Sequence, residues 1–544
     1  MSETLATALL NALKSRGADR IFGIPGDFVL PFFRVIEQSE ILPWHTLSHE
    51  PGVGYAADAV GRINCALGVA VVTYGAGALN MVNAVAQAYA EKSPLVVISG
   101  GPGKGEGEQG LGLHHQVKTL NSQLGIYKEL TCDQTILNDP ATAPAEIARV
   151  LDNALKLSRP VYIEIPRDLV NAPCAPVPAY DAGLPNPEAA NACAAEILTR
   201  LKSAKTPAIL VGVEARRYGL EDKIGTLCEI LGLPVATSFM GRGLFADQDL
   251  PLVGTYLGSA GGKLAADSIE GADALLMLGV IISDTNFGVS GKNIDMRGAI
   301  QALDRSVGFA HYTYPDVPLE ALIDALITIA EPIGNTTVDY APNYARGLPY
   351  DDTPLLPSHI AMAVNDLFAD HGRMPIASDI GDCLFTGLEI EDTEFVAPGY
   401  YASMGPGVPA GMALEAATGR RSLILVGDGA FQMTGWEIGN CQKYGWAPIV
   451  ILFNNQSWEM LRTFQPGPKY HDLDDWHYAK IAPHLGGHGV RVETCGQLKQ
   501  ALEAAHADAS KFQLIEVMLQ RGDVSDTLAR FVAAVKEMSA LKDE

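Results

Sequence analysis

Two segments of this chain pair hard oxygen ligands with glycine in the way a metal–phosphate site needs. Leu423-Ile-Leu-Val-Gly427-Asp428-Gly429 is an apolar run ending in Gly-Asp-Gly, and Ile449-Val-Ile-Leu-Phe-Asn454-Asn455 is another ending in Asn-Asn. Asn455 lies 27 residues beyond Asp428. If both runs are parallel strands, their ends share the carboxyl edge of one sheet, where ligands bind. Asp428 and Asn455 then offer two oxygens to one Mg²⁺, which fills its remaining positions with phosphate and water. The glycines let the backbone approach that phosphate, and a helix expected to begin near Met433 presents its N-terminus to the charge. Either half alone is an ordinary strand-to-helix turn; the two at this spacing favour a metal–diphosphate site.

Other residues carry chemistry less distinctively. His114-His115 follows a run from Gly100 to Gly112 that is too rich in glycine to pack. A solvated loop is the plain reading. The functional one is a lid that brings two groups titrating near neutral pH to a reacting atom. Inside that run, Gly105-x-Gly107-x-x-Gly110 matches the dinucleotide fingerprint by letter. Glu106 and Glu108 would repel a pyrophosphate and no helix follows, so the match is discounted. Glu50 opens a helix, where a carboxylate favours the dipole. Asp27, in Pro25-Gly26-Asp27, stands where Asp often turns or caps the chain.

Positioning such residues takes alternating strands and helices. Arg20 to Ile24, Leu42 to Leu47, Leu67 to Thr73 and Leu95 to Ser99 read as strands, with helices at Leu5 to Leu13, Phe28 to Ile36, Pro51 to Arg62 and Gly77 to Ala90. The alternation resumes with strands at Ala208 to Val213, Ala274 to Gly279 and Ala299 to Leu303. It returns at Pro375 to Ser378, Ser422 to Val426, Ile449 to Phe453 and Leu514 to Val517. Linkers rich in proline run from Pro173 to Pro187 and from Glu331 to Pro357. This pattern predicts parallel sheets covered on both faces, in three α/β domains.

Composition narrows the function. The chain has 544 residues, which at about 150 per domain suits three or four domains. With 48% hydrophobic and 19% charged residues it is an ordinary globular chain and not a disordered one. A net charge of −24 repels nucleic-acid backbones and anionic lipid, so neither partner is expected. Eight scattered cysteines without a CxxC pair suit a reducing compartment. Met1-Ser2-Glu3-Thr4 lacks a basic region and no 18-residue apolar run follows, so a cytoplasmic protein without a membrane span is expected.

With these residues in place, the chain resembles the thiamine-diphosphate-dependent 2-oxo acid decarboxylases, the phenylpyruvate and indolepyruvate enzymes above all. Gly-Asp-Gly followed at this spacing by Asn-Asn is that cofactor's motif. Gly23-Ile-Pro-Gly-Asp27, His49-Glu50, Thr73-Tyr-Gly-Ala-Gly-Ala-Leu79 and His114-His115-Gln116 agree with the decarboxylase branch, and the likeness spans essentially the whole chain. It implies an α/β protein of three doubly wound parallel-sheet domains: pyrimidine-binding at 1–175, middle at 190–332 and diphosphate-binding at 355–544. It also implies Mg²⁺ and a homodimer with shared active sites, paired into a homotetramer.

The same resemblance assigns roles. Glu50 shares a proton with the aminopyrimidine ring, and Asp27, His114 and His115 surround the reacting carbon. Met404 is the apolar wedge that bends the cofactor. Thr73, Asp382, Ala402, Gly427, Asp428, Gly429, Ala430, Asn455, Ser457 and Trp458 join Glu50 and Met404 in holding it, with Asp428, Asn455 and Ser457 on the metal. Leu384, Phe385, Met460, Leu461, Phe464 and Phe531 line the substrate.

Two departures matter. Pyruvate decarboxylases carry a catalytic glutamate at the place that is Leu461 here. Glu459 stands two residues earlier, where a helix would turn it away, so it receives no role. Acid–base work then falls to Asp27, His114 and His115. Ala430 replaces a serine or threonine that touches the diphosphate in many relatives. Leu384 stands where pyruvate-specific relatives carry a bulky aromatic residue. With adaptable Met460 and the Phe464 ring, it favours an aryl substrate over pyruvate. The rivals are a pyruvate-preferring decarboxylase, a carboligase of the acetolactate-synthase type with its frequent flavin, and a non-catalytic nucleotide-binding protein on the same fold.

Overall fold

A computed structural model describes residues 3–106, 111–183, 185–248, 250–285, 293–334 and 344–540. Gly107, Glu108 and Gly110 of the glycine-rich run lie outside this set, as do 335–343 of the second linker and Leu184 of the first. The chain forms two compact units, one of Met1–Gly183, Tyr401–Arg421 and Gln432–Trp446, the other of Leu184–Tyr400, Ser422–Phe431 and Ala447–Glu544.

The first unit holds a six-stranded sheet in the order Trp44–Thr46, Ile21–Gly23, Gly68–Val72, Leu95–Gly101, Val161–Pro166, Asp133–Ile136. Every pairing in it is parallel. Ile21–Gly23 is followed outward on one side and Gly68–Val72 on the other. The order therefore reverses between them, and such a switch point opens a crevice at the carboxyl edge. Gly68–Val72 and Leu95–Gly101 are buried on both faces, as central parallel strands must be. The helix Leu5–Ser15 packs its leucines into this core and is capped by Thr4, which accepts from the Thr7 N–H.

The second unit holds two sheets. One has seven strands, parallel from Leu252–Tyr256 through to Ala299–Leu303, with Ser306–Phe309 and Tyr312–Tyr314 added antiparallel at the edge. That hairpin departs from the all-parallel expectation. The other is a six-stranded parallel sheet in the order Phe395–Val396, Ile376–Ser378, Leu423–Gly427, Ile449–Asn454, Gln513–Met518, His488–Val492. Its switch point lies between Ile376–Ser378 and Leu423–Gly427.

Three local expectations need correction. The helix after Gly-Asp-Gly begins at Asp428 itself, not near Met433, because the strand ends directly into the first turn. The small-residue helix is two, Ala76–Asn80 and Val82–Ala90, separated at Met81. The helix expected from Phe28 starts at Leu30, with Pro31 in its first turn.

Candidate active site

In the first unit, the loops after three neighbouring strands converge. Asp27 follows Ile21–Gly23, Thr73 follows Gly68–Val72, and the segment with His114 and His115 comes after Leu95–Gly101. The Thr73 hydroxyl accepts from the Phe28 N–H at 3.3 Å and donates to Asp27 Oδ1 at 3.4 Å. A Cβ on Gly26 would stand 2.5 Å from Thr73, so glycine is required for this approach. His114 Nε2 bonds Asp27 Oδ2, and His115 Nε2 lies 4.0 Å from Asp27 Oδ1. Phe28 stacks on His114 at 4.7 Å and meets His115 edge-on at 6.1 Å, while Arg167 covers the Phe28 ring. Burial pushes the Asp27 carboxyl up. The His114 bond and charge, the Phe28 N–H and His115 outweigh it and hold the group below its ordinary range.

Glu106 is held by its own neighbours. It pairs with Arg167 and accepts from the Gly103 N–H, which holds its carboxyl below the ordinary range.

Glu50 opens the helix Glu50–Asn64, and its Oε2 accepts from Asn80 Nδ2 at 2.8 Å. Glu437 braces the same helix start. Its Oε2 accepts from the Ser48 N–H at 2.7 Å, and a Cβ on Gly52 would stand 2.7 Å from Oε1. Nothing local in the sequence marks Glu437, which lies far along the chain. Burial raises its carboxyl, and the N–H groups of Ser48 and His49 offset part of that rise.

Residues Tyr401 to Gly405, with Ala402 and Met404, are also held from several sides. The Tyr401 N–H donates to Glu91 Oε1 at 2.8 Å, the Ser403 hydroxyl donates to Gln87, and Thr434 Oγ1 donates to the Gly405 carbonyl. Gln87 in turn donates to Asp58, which pairs with buried Arg62. Ala402 adopts φ 61°, a conformation costly for alanine that these bonds enforce. Gln87 and Glu91 likewise have no local mark in the sequence, since their partners lie more than 300 positions away.

In the second unit, Leu423–Gly427 and Ile449–Asn454 are adjacent parallel strands with Gly427 level with Phe453, as their motifs require. Asp428 is 3% exposed. Its Oδ1 accepts from the Gly429 N–H, while Oδ2 is buried without a hydrogen-bond partner among the described residues. Burial pushes its carboxyl up to about 7 against the pull of nearby N–H groups, those of Gly429, Gln456, Ser457 and Asn455. An orphaned buried carboxylate oxygen beside Asn455 suits a divalent cation, which would satisfy it. Asn455 Oδ1 accepts from the Ser457 N–H at 3.1 Å, and the Ser457 hydroxyl accepts from Arg462. Gly427 has open space where a Cβ would stand, whereas Gly429 lies against the Trp458 ring. Ala430 is buried at the helix start.

The Asp382 carboxylate accepts from both the N–H and the hydroxyl of Ser525. Burial pushes it up to about 7, opposed by Ser525, with Glu389 and Glu459 adding to the rise. Leu384, Phe385, Met460, Phe464 and Phe531 join one apolar cluster with Phe239, Leu257 and Leu528. Leu461 stands outside it and is 55% exposed. Glu459 is buried, and its Oε1 accepts from the Gly522 N–H.

Comparison with known proteins accords with this geometry. Residues 3–124 match the thiamine pyrophosphate enzyme N-terminal TPP binding domain, 194–328 the central domain and 379–517 the C-terminal TPP binding domain. An indole-3-pyruvate decarboxylase of Azospirillum brasilense is 56% identical over 543 residues, covering 99% of this chain and 100% of the relative. An alpha-keto-acid decarboxylase of Mycobacterium tuberculosis (strain ATCC 25618 / H37Rv) is 29% identical over 564 residues, covering 98% and 97%. Another, of Mycobacterium avium (strain 104), is 29% identical over 562 residues, covering 97% and 96%. Among the described residues, no helix is long and apolar enough to cross a membrane. The chain belongs to the thiamine-diphosphate-dependent 2-oxo acid decarboxylases, and not to the carboligase or non-catalytic alternatives.

Proposed function

We propose that this decarboxylase acts on 2-oxo acids with aromatic side chains, phenylpyruvate or indolepyruvate, and that Asp428, Asn455 and Ser457 hold its Mg²⁺. The apolar cluster of Leu384, Phe385, Met460, Phe464 and Phe531 carries the substrate reading, together with the name of the Azospirillum relative. Burying an aryl group there gains roughly 25 cal/mol per Å² that a methyl group cannot.

Thiamine diphosphate, when bound, supplies the electron sink for the bond to CO₂. The chain supplies the rest. Glu50 shares a proton with the pyrimidine side of the cofactor. Asp27, ionised at neutral pH, orients His114, and the histidine pair handles the proton that replaces CO₂. Phe28 and Arg167 fix the rings from beneath. Gly427 and Gly429 would leave room for the diphosphate at the sheet edge, and Met404, in the Tyr401 to Gly405 segment, would supply an apolar wedge for the cofactor. The three domains divide as 1–175, 190–332 and 355–544. A homodimer, paired into a tetramer, works in the cytoplasm, a placement supported by eight cysteines that form no disulfide among the described residues.

The test measures kcat/KM for phenylpyruvate, indolepyruvate, long-chain 2-oxo acids and pyruvate. Preference for pyruvate overturns the substrate reading.

A further inference from the structure

A buried polar chain leads from the strand Val161–Pro166 to the turn beneath His115. It runs through groups that no step of the reaction uses. Gln123 is 1% exposed, and its Oε1 accepts from the Gly75 N–H at 2.6 Å. Its Nε2 donates to Ser99 Oγ at 3.0 Å and to the Tyr162 hydroxyl at 2.5 Å. The Tyr162 hydroxyl donates to Glu164 Oε2 at 2.6 Å.

A backbone N–H can only donate, so Gly75 fixes which way the Gln123 amide faces. The amide nitrogen must then point at Tyr162, whose own proton has only Glu164 to go to. Each link is therefore directional. The chain requires only that Glu164 Oε2 accept, which it does whether or not the other oxygen carries a proton. Burial pushes the Glu164 carboxyl up to about 7, and the Tyr162 hydroxyl draws it down.

The other end of the chain is the seat of His115. Gly75 adopts φ 65° and ψ −101°, and a Cβ there would stand 2.1 Å from the His115 carbonyl oxygen. His115 itself has φ 65°, a strained conformation for histidine that persists only when its surroundings enforce it. Tyr74, next in the turn, donates to the Leu120 carbonyl at 2.8 Å and meets Phe28 edge-on. The turn thus contacts both the backbone of His115 and the ring that carries His114.

We infer that Gln123, oriented by Tyr162 and Glu164, is a positioning residue for the histidine pair, acting through the Gly75 turn that seats His115. This rests on the proposed proton-handling role of that pair. A misplacement of about 1 Å in such a group costs up to roughly 10²-fold.

The experiment is a double-mutant cycle on the holoenzyme between Gln123→Met and His115→Ala, with Tyr162→Phe as a gentler break in the same chain. Gln123→Met and Tyr162→Phe are each expected to lower kcat/KM by about 10- to 100-fold, with thiamine diphosphate affinity, read by fluorescence quenching, unchanged. Added to His115→Ala, Gln123→Met should cost almost nothing more, because both act on one group. Hydrogen exchange in the cofactor-free chain should quicken in peptides covering 73–80 and 111–120 and stay unchanged elsewhere. Costs that multiply in the double variant overturn the inference, as does a Gln123→Met enzyme of full activity. If Gln123→Met fails to fold, Tyr162→Phe alone decides by the same cycle. Unchanged turnover in His115→Ala sinks the proton-handling reading and this inference with it. Impaired His115→Ala beside a normal Gln123→Met sinks only the inference.

Discussion

Gly429 and Trp458 leave no room between them: a Cβ on Gly429 would stand 2.2 Å from the indole ring. Trp458 lies in the loop after Ile449–Asn454, and its backbone N–H donates to the His471 carbonyl at 2.8 Å, which anchors that loop. Gly429→Ala should therefore push Trp458 and the Asn455 loop outward. We expect at least a tenfold loss of thiamine diphosphate affinity with little change in the melting temperature of the cofactor-free chain. Titration by fluorescence quenching reads the first and calorimetry the second. Unchanged affinity would contradict the close approach.

The Asp428 carboxyl, at about 7 in the cofactor-free chain, ties stability to pH. Its folded value lies above the ordinary 3.8, so the folded state binds the proton more tightly than the unfolded one. That contribution is complete below pH 4 and is lost as pH rises through about 7, and Asp382 acts in the same direction. The cofactor-free chain should lose melting temperature across this window. Mg²⁺ with thiamine diphosphate, needing the ionised carboxylate, should raise it far more at pH 8 than at pH 5. Asp428→Asn should weaken the first trend to the part carried by Asp382 and abolish the second.

Glu50→Gln should leave the fold intact, since the amide still accepts from Asn80. Proton exchange at C2 of the bound cofactor, followed by NMR, should slow by about 10²–10⁴-fold, the usual worth of a positioned acid–base group. An unchanged rate would remove Glu50 from the mechanism.

Leu384→Trp enlarges a residue that is 2% exposed inside the Phe385–Phe531 cluster. The ratio of kcat/KM for phenylpyruvate over pyruvate should fall by about 10- to 200-fold, the range for one or more methylene groups of pocket volume. A ratio that does not move would make the cluster ordinary core.

What the sequence discloses about this protein follows the range of the forces involved. Strand ends were legible: the apolar runs before Gly-Asp-Gly and Asn-Asn became adjacent parallel strands because continuous apolar patterning marks burial on both faces. Val161–Pro166 carries a weaker signal, since Glu164 interrupts its apolar pattern with a charge that finds the Tyr162 hydroxyl once the strand is buried. Gln123, Gln87, Glu91 and Glu437 were invisible for a related reason. Each is defined by a partner brought near by the fold, and an isolated Gln or Glu in sequence carries no mark of that. The start of the helix at Asp428, five residues before Met433, has no local mark, because nothing distinguishes Gly427-Asp428-Gly429 from a loop.

The helix Asp526–Ala540 follows the last strand of its sheet, yet it brings Phe531 to the apolar cluster and is tied down by Ser525 on Asp382. The cluster therefore has one side that can loosen on its own: opening of this single helix would part Phe531 from Phe385 while the six strands of the sheet stay paired.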